Sequence, residues 1–299
     1  MAKDKKTLLS LLLAGIISVA SIGCDNGLKR EINRKDYLFK GNKVTELAED
    51  KDNFASYGVI SDPHCNVKKA RDFANYFKRQ GVNGIIIPGD IPLNEKLRYG
   101  REDSRKDKSE IVDILSAVAE TGLPVFVIPG NHETKKDYKA AIKEVTEAYP
   151  NVIDMVKYRV FDGDDADFVS LPGYQVNETR FRKFIPDGGY WTSPPFIKRT
   201  GKLRKNLNDS VILISHGPGK TGAKKGPGTT VLMEEIGDEN IRDMQIKDNI
   251  PFAVTGHVHE AGGFAANFNG KNIKEGEFAT QVTVNFGTLE DHLDLNGKK

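Results

Sequence analysis

Gly84-Ile85-Ile86-Ile87-Pro88-Gly89-Asp90 is a short apolar run that stops on a glycine and a carboxylate, and the same figure recurs on either side of it. Upstream, residues 57–61 end in Asp62-Pro63-His64; downstream, residues 124–128 lead into Gly130-Asn131-His132-Glu133. Amphipathic stretches lie around them: residues 67–80, with Phe73, Ala74 and Phe77 at helical spacing and Gly81 as a stop, then about 107–120, then 134–148. Short apolar runs alternating with helical periods are the pattern of β-α-β units, so the chain is expected to be an α/β protein with parallel strands. The second half is richer in strands, expected at 157–161, 168–171, 211–215, 252–255, 263–267 and 279–285, with one helix over 231–247.

The residues that follow these strands carry the chemistry. The strand at 211–215 ends in His216, and that at 252–255 in Gly256-His257-Val258-His259. Five of the six histidines (His64, His132, His216, His257, His259) thus stand at strand ends, and only His292 does not. In open α/β sheets the crevice beyond the strand C-termini is where ligands bind. A lone histidine there is ordinarily a hydrogen-bonded structural residue, and a lone Gly-Asp is ordinarily a turn. Five such sets facing one crevice would leave many polar groups unsatisfied unless a ligand took them up, and a metal cluster does so most simply. Asp62 and His64, like His257 and His259, are two apart, which on extended backbone puts both side chains on one side. Imidazole, carboxylate and amide donors without thiolate suit Mn, Fe, Zn or Ni better than a structural zinc. Seven candidates (Asp62, His64, Asp90, Asn131, His216, His257, His259) are too many for one tetrahedral ion. Two divalent ions about 3.5–4 Å apart, bridged by the central carboxylate Asp90, would use them all and suit displacement at phosphorus.

In this order the sets DPH, GD, GNHE, SH and GHVH resemble the calcineurin-like metallophosphoesterases, over Asp62 to His259, about two-thirds of the chain. Asn285-Phe286-Gly287-Thr288 is similar to that family's closing segment. The resemblance implies a four-layer α/β/β/α sandwich, two facing mixed sheets flanked by helices, with the metal pair at the sheet edge. It implies one ion on Asp62, His64 and His259, the other on Asn131, His216 and His257, with Asp90 shared. His132 would be the catalytic proton donor to the leaving oxygen. Relatives acting on phosphoproteins carry a second Asp after the GD motif that orients this histidine, and relatives with a purple iron centre carry a Tyr. This chain has Leu93 there, which disfavours both and leaves Glu133 or Asn94 to assist.

The N-terminus reads as an address. Lys3, Asp4, Lys5 and Lys6 precede an uncharged run over 8–23, and Gly23-Cys24 resembles the lipobox of prokaryotic lipoproteins. The expectation is a signal peptide over 1–23, lipid attachment at Cys24, a tether over 24–56 and one catalytic domain over 57–299. The protein would be exported by a prokaryote and held on a membrane, at the cell surface or in the periplasm. With Cys24 acylated, Cys65 has no disulfide partner and reads as a space filler. Lys3, Lys5 and Lys6 set against Asp4 account for the whole formal charge of +2, so overall charge gives no support for nucleic acid as a partner.

Several motifs are decoys. Gly217-Pro218-Gly219-Lys220-Thr221 lacks the leading glycine of a phosphate-binding loop, since Ile214 stands there. The acidic run 162–167 lacks the glycine and terminal glutamate of an EF-hand and reads as a hairpin turn. The expected activity is a binuclear metal-dependent phosphoesterase that uses a metal-bridging hydroxide on a phosphorylated small molecule, a phosphodiester or nucleotide-type substrate being favoured. The rival expectation is a non-catalytic lipoprotein binding a metal or phospho-ligand on the same fold.

Overall fold

The computed structural model describes residues 27–48, 54–93, 104–175 and 189–290. Four parallel strands, β4 (Tyr57–Val59), β5 (Gly84–Ile87), β6 (Val125–Val127) and β7 (Val152–Asp154), form the smaller sheet in that order. The connections are α1 (Val67–Gln80), α2 (Ser104–Ala119) and α3 (Lys135–Ala148). Alternation along these strands creates the layers. Ile85, Ile87, Val125 and Val127 pack against Ala70 and Ala74 of α1, Ile111, Ile114, Leu115 and Val118 of α2, and Tyr138, Ala141, Ile142 and Val145 of α3. The intervening Ile86 and Phe126 point the other way, into a second core with Phe161, Phe168 and Ile214.

Those last three belong to the larger sheet. Its members are β1 (Leu28–Ile32), β2 (Lys35–Lys40), β3 (Lys43–Glu46), β8 (Val160–Asp162), β9 (Asp167–Leu171), β12 (Val211–Ser215), β13 (Phe252–Thr255), β14 (Ala265–Ala266), β15 (Asn272–Ile273) and β16 (Val282–Asn285). They run in the spatial order β1-β2-β3-β8-β9-β12-β13-β16-β14-β15, with parallel and antiparallel pairs mixed. Its outer face, with Val169, Leu171, Leu213 and Ala253, is covered by Ile197 of α4 (Pro194–Gly201) and by Ile241 and Met244 of α5 (Glu239–Lys247). The result is helix, sheet, sheet, helix. The inter-sheet core is aromatic at its centre, where Phe126 meets Phe161 at 4.6 Å and Phe168 at 5.0 Å between ring centroids.

Two expectations are corrected. Residues 28–46 are not tether: they form β1, β2 and β3, with β3 paired parallel to β8 and Tyr37, Phe39 and Val44 buried in the inter-sheet core. Burying a large apolar side chain contributes about 1.5–3 kcal/mol, which offsets the exposed charges between them. The helix expected over 231–247 begins only at Glu239. Asp238 is its N-cap, accepting from the Ile241 N–H at 3.0 Å, while Met233 has φ +62° and Glu235 is engaged with the Thr221 and Gly222 N–H groups. Four further strands escape the periodicity argument: β7, β15, and β10 (Tyr174–Gln175) with β11 (Trp191–Thr192), which pair parallel as a separate ribbon. The acidic run does close a hairpin, between β8 and β9. Among the described residues no helix is long and apolar enough to cross a membrane. The expected signal peptide and Cys24 lie outside them.

Candidate metal centre

Three strands of the small sheet, β4, β5 and β6, and two of the large sheet, β12 and β13, deliver their polar residues just past their C-terminal ends. There the backbone departs from the extended form: φ is +44° at Asp62, +41° at His64, +52° at Asp90 and +69° at His257. Such values are uncommon outside glycine and gather at functional sites. Asp62 and His64 therefore meet through a left-handed turn rather than through strand alternation, and His259 opens a single 3-10 turn, His259–Ala261. Two glycines make room. A Cβ at Gly256 would fall on the Asp62 carboxylate and the Ser61 hydroxyl, and one at Gly130 would fall on Asp90 Oδ1 and lie 2.8 Å from His216 Cε1.

All eight expected site residues converge. Ligand atoms of Asp62, His64 and His259, of His64, Asp90 and His132, and of Asp90, His216 and His257 form three groups, within each of which the atoms lie within 4.8 Å of one another. His64 Nε2 is 3.1 Å from His259 Nε2, and His259 Nε2 is 3.4 Å from Asp62 Oδ1. His216 Nε2 is 3.1 Å from Asp90 Oδ2 and 3.0 Å from Asn131 Oδ1. Asp90 occupies the middle, its Oδ1 accepting from the His132 N–H at 2.8 Å and its Oδ2 lying 3.7 Å from His132 Nε2.

The outward nitrogens show which lone pairs face inward. His64 Nδ1 lies 3.3 Å from the Pro92 carbonyl, His216 Nδ1 3.0 Å from that of Pro88, and His132 Nδ1 2.8 Å from that of Leu93. A carbonyl only accepts, so each Nδ1 carries the hydrogen and each Nε2 is left to point at the carboxylates. Imidazole lone pairs converging on two buried carboxylates fit a divalent cation, and the carbonyls are the outer partners that metal-bound histidines ordinarily have. The electrostatics without a cation agree. Burial raises the Asp90 carboxyl, yet the charges of His132 and His216 overcome it and hold the group well below the usual range. Burial lowers His216, but the Asp90 charge and hydrogen bond carry it up to about 9. His257, buried beside His216, is pushed down to about 3.

The supports were only partly visible in the motifs. Glu133 is wholly buried and ties two turns together, accepting from Ile91 N–H at 2.8 Å and Gly130 N–H at 2.7 Å. Burial, then the nearby Asp90 charge, raise its carboxyl to about 8. It holds the turns, and the Leu93 carbonyl takes the orienting bond from His132; Asn94 lies outside the described residues. Asn285 donates to the carbonyls of Gly256 at 2.8 Å and Val258 at 3.1 Å and so clamps the last histidine pair. Thr288 Oγ1 and the Leu289 N–H both donate to the Asp62 carbonyl, at 2.8 and 3.2 Å. Tyr174 lies flat on His257, ring centroids 3.9 Å apart and planes 31° apart, a role its place in a long aromatic-rich connection did not signal. Cys65 does more than fill space, since its Sγ is 3.1 Å from the Leu93 N–H.

A family model described as calcineurin-like phosphoesterase matches residues 55–261. No curated protein matches the chain. One solved structure superposes with a TM-score of 0.56 at 17% identity, covering 81% of this chain and 96% of its own. TT1561 of Thermus thermophilus superposes with a TM-score of 0.55 at 13% identity, covering 81% of this chain and 95% of its own. A dimetal phosphatase from Danio rerio gives a TM-score of 0.47 at 13% identity, over 78% of this chain and 87% of its own. At these identities the first two speak to the fold alone, and the third carries no argument.

Proposed function

Because the chain belongs to the calcineurin-like phosphoesterase family, we propose that it hydrolyses phosphate esters, diesters or nucleotide-type substrates before phosphoproteins, at a centre of two divalent cations. One observation carries the reading: two groups of buried and half-buried side chains, Asp62-His64-His259 and Asp90-His216-His257, stand side by side, linked by a third in which His64 and Asp90 meet His132. The first group with Asp90 would hold one cation, and the second with Asn131 and Asp90 the other. Such a pair neutralises the phosphate and supplies a water acidic enough to attack it at neutral pH. The remaining work falls to the chain. Asp90 is fixed by the His132 N–H and keeps the two groups in register. His132 presents Nε2 to the site with its Nδ1–H held by Leu93, which suits delivery of a proton to a leaving oxygen. The preference for diesters and nucleotides rests on Leu93, which stands where phosphoprotein-directed relatives carry an orienting Asp. The metals stay open among Mn, Fe, Zn and Ni.

The test is turnover of bis(p-nitrophenyl) phosphate, with p-nitrophenyl phosphate alongside, by protein stripped of metal and reloaded with manganese. Manganese-dependent turnover that Asp90→Asn reduces by about 10²-fold or more is the expected result. Full activity of Asp90→Asn removes the bridging role, and metal uptake without any turnover favours the binding-protein alternative. We also propose export through residues 1–23 with Cys24 as the lipid acceptor; membrane-fraction protein that stays put when Cys24→Ala is introduced would refute the anchor.

A further inference from the structure

The ring of His132 donates its Nδ1–H to the Leu93 carbonyl at 2.8 Å. The peptide group at the other end of Leu93 is fixed in turn, which holds the residue in place. The Leu93 N–H donates to Glu110 Oε2 at 3.2 Å and also lies 3.1 Å from Cys65 Sγ. Thiol sulfur accepts weakly, so the carboxylate is the principal anchor. Glu110 stands on α2, whose Ile111, Ile114, Leu115 and Val118 are buried in the helix-side core, and Lys108 Nζ ties the same helix to Glu144 of α3 at 2.7 Å. The anchor is therefore part of the packed helix layer, and groups held on packed elements keep their geometry better than groups on loops.

We propose that Glu110, on α2 and outside every motif of the site, is a positioning residue for His132 that acts through Leu93. The kinetic consequence rests on the phosphoesterase reading; the structural one does not. Without the carboxylate, Leu93 is free to tilt, its carbonyl leaves the Nδ1–H, and the imidazole loses both its tautomer and its direction. Proton delivery matters most for a poor leaving group, because a good one departs as the anion unaided.

The experiment compares the wild type, Glu110→Ala and Glu110→Gln on diphenyl phosphate and bis(p-nitrophenyl) phosphate. It also follows the His132 Nδ1–H by NMR in the metal-free proteins. Glu110→Ala should slow diphenyl phosphate by about tenfold or more and bis(p-nitrophenyl) phosphate by no more than about threefold. Glu110→Gln, whose amide oxygen still accepts, should restore most of the difference. The ratio of the two rates does not depend on how much of a preparation is folded. In the metal-free state the Nδ1–H signal should be lost to exchange in Glu110→Ala and retained in Glu110→Gln. Equal slowing of both esters, or an unaltered Nδ1–H signal in Glu110→Ala, overturns the proposal. A wild type that hydrolyses neither ester overturns the phosphoesterase reading instead, and the Nδ1–H signal then decides this one.

Discussion

Asp167 opens β9 with its Oδ2 accepting from the Asp209 N–H at 3.0 Å, and burial lifts its carboxyl from the ordinary range to about 6. Between pH 4 and 6 the folded chain keeps a proton that the unfolded chain releases, so this residue makes stability fall as pH rises through that window. Asp167→Asn keeps the acceptor and removes the charge. Its thermal midpoint should exceed the wild type's by roughly 2–6 °C at pH 7.5 and by little at pH 4. In the site the decisive small residue is Gly256. Gly256→Ala should lower stability by about 1–3 kcal/mol and reduce bound metal per chain, measured by denaturant unfolding and metal analysis, because the new methyl displaces the Asp62 carboxylate. At this scale the sequence was legible where chemistry repeats itself. Asp62, His64, Asp90, Asn131, His132, His216, His257 and His259 declared themselves by residue type at successive strand ends. Leu93 did not, since it contributes a carbonyl that every residue possesses.

Helix ends show which local signals can be trusted. In Thr134-Lys135-Lys136-Asp137, Thr134 Oγ1 accepts from the Asp137 N–H at 3.0 Å and donates to Asp137 Oδ2 at 2.6 Å, starting α3 directly after Glu133. Thr134→Ala should therefore lower stability by about 1 kcal/mol, read from the urea midpoint at unchanged slope. The helix starts at 67 and 135 follow their capping residues, Asn66 and Thr134. The apolar run Val231-Leu232-Met233 lies outside α5, whose boundary is marked by Gly237 and the cap Asp238. The hairpin of β2 and β3 does carry a two-residue turn signal, Gly41-Asn42, between Phe39 and Val44. Its strands carry so many charges that they read as solvated chain, and only the long-range pairing of β3 with β8 explains why they fold.

For the whole molecule that pairing turns an apparent tether into structural material. Deleting residues 27–47 should lower the thermal midpoint by about 5 °C or more and promote association through the uncovered β8 edge, measured by thermal unfolding and size-exclusion chromatography, whereas loss of a mere tether would change neither. The α/β class was legible because buried strands and amphipathic helices alternate, whereas the four layers came only as what the family resemblance implies. The spatial order of the ten strands was not legible, since it depends on partners distant in sequence. The last of those partners matters in time as well as in space. Asn285 secures the turn bearing His257 and His259, and Thr288 with Leu289 secures Asp62. A ribosome adding about 5–20 residues per second takes a few seconds to travel from His259 to Leu289. During that interval the nascent chain already owns every candidate ligand, and of the bonds that align the first with the last it has the His257 N–H to the Asp62 carboxylate but not the clamps from Asn285, Thr288 and Leu289. The two ends of the candidate centre are thus locked together only once β16 has slotted between β13 and β14.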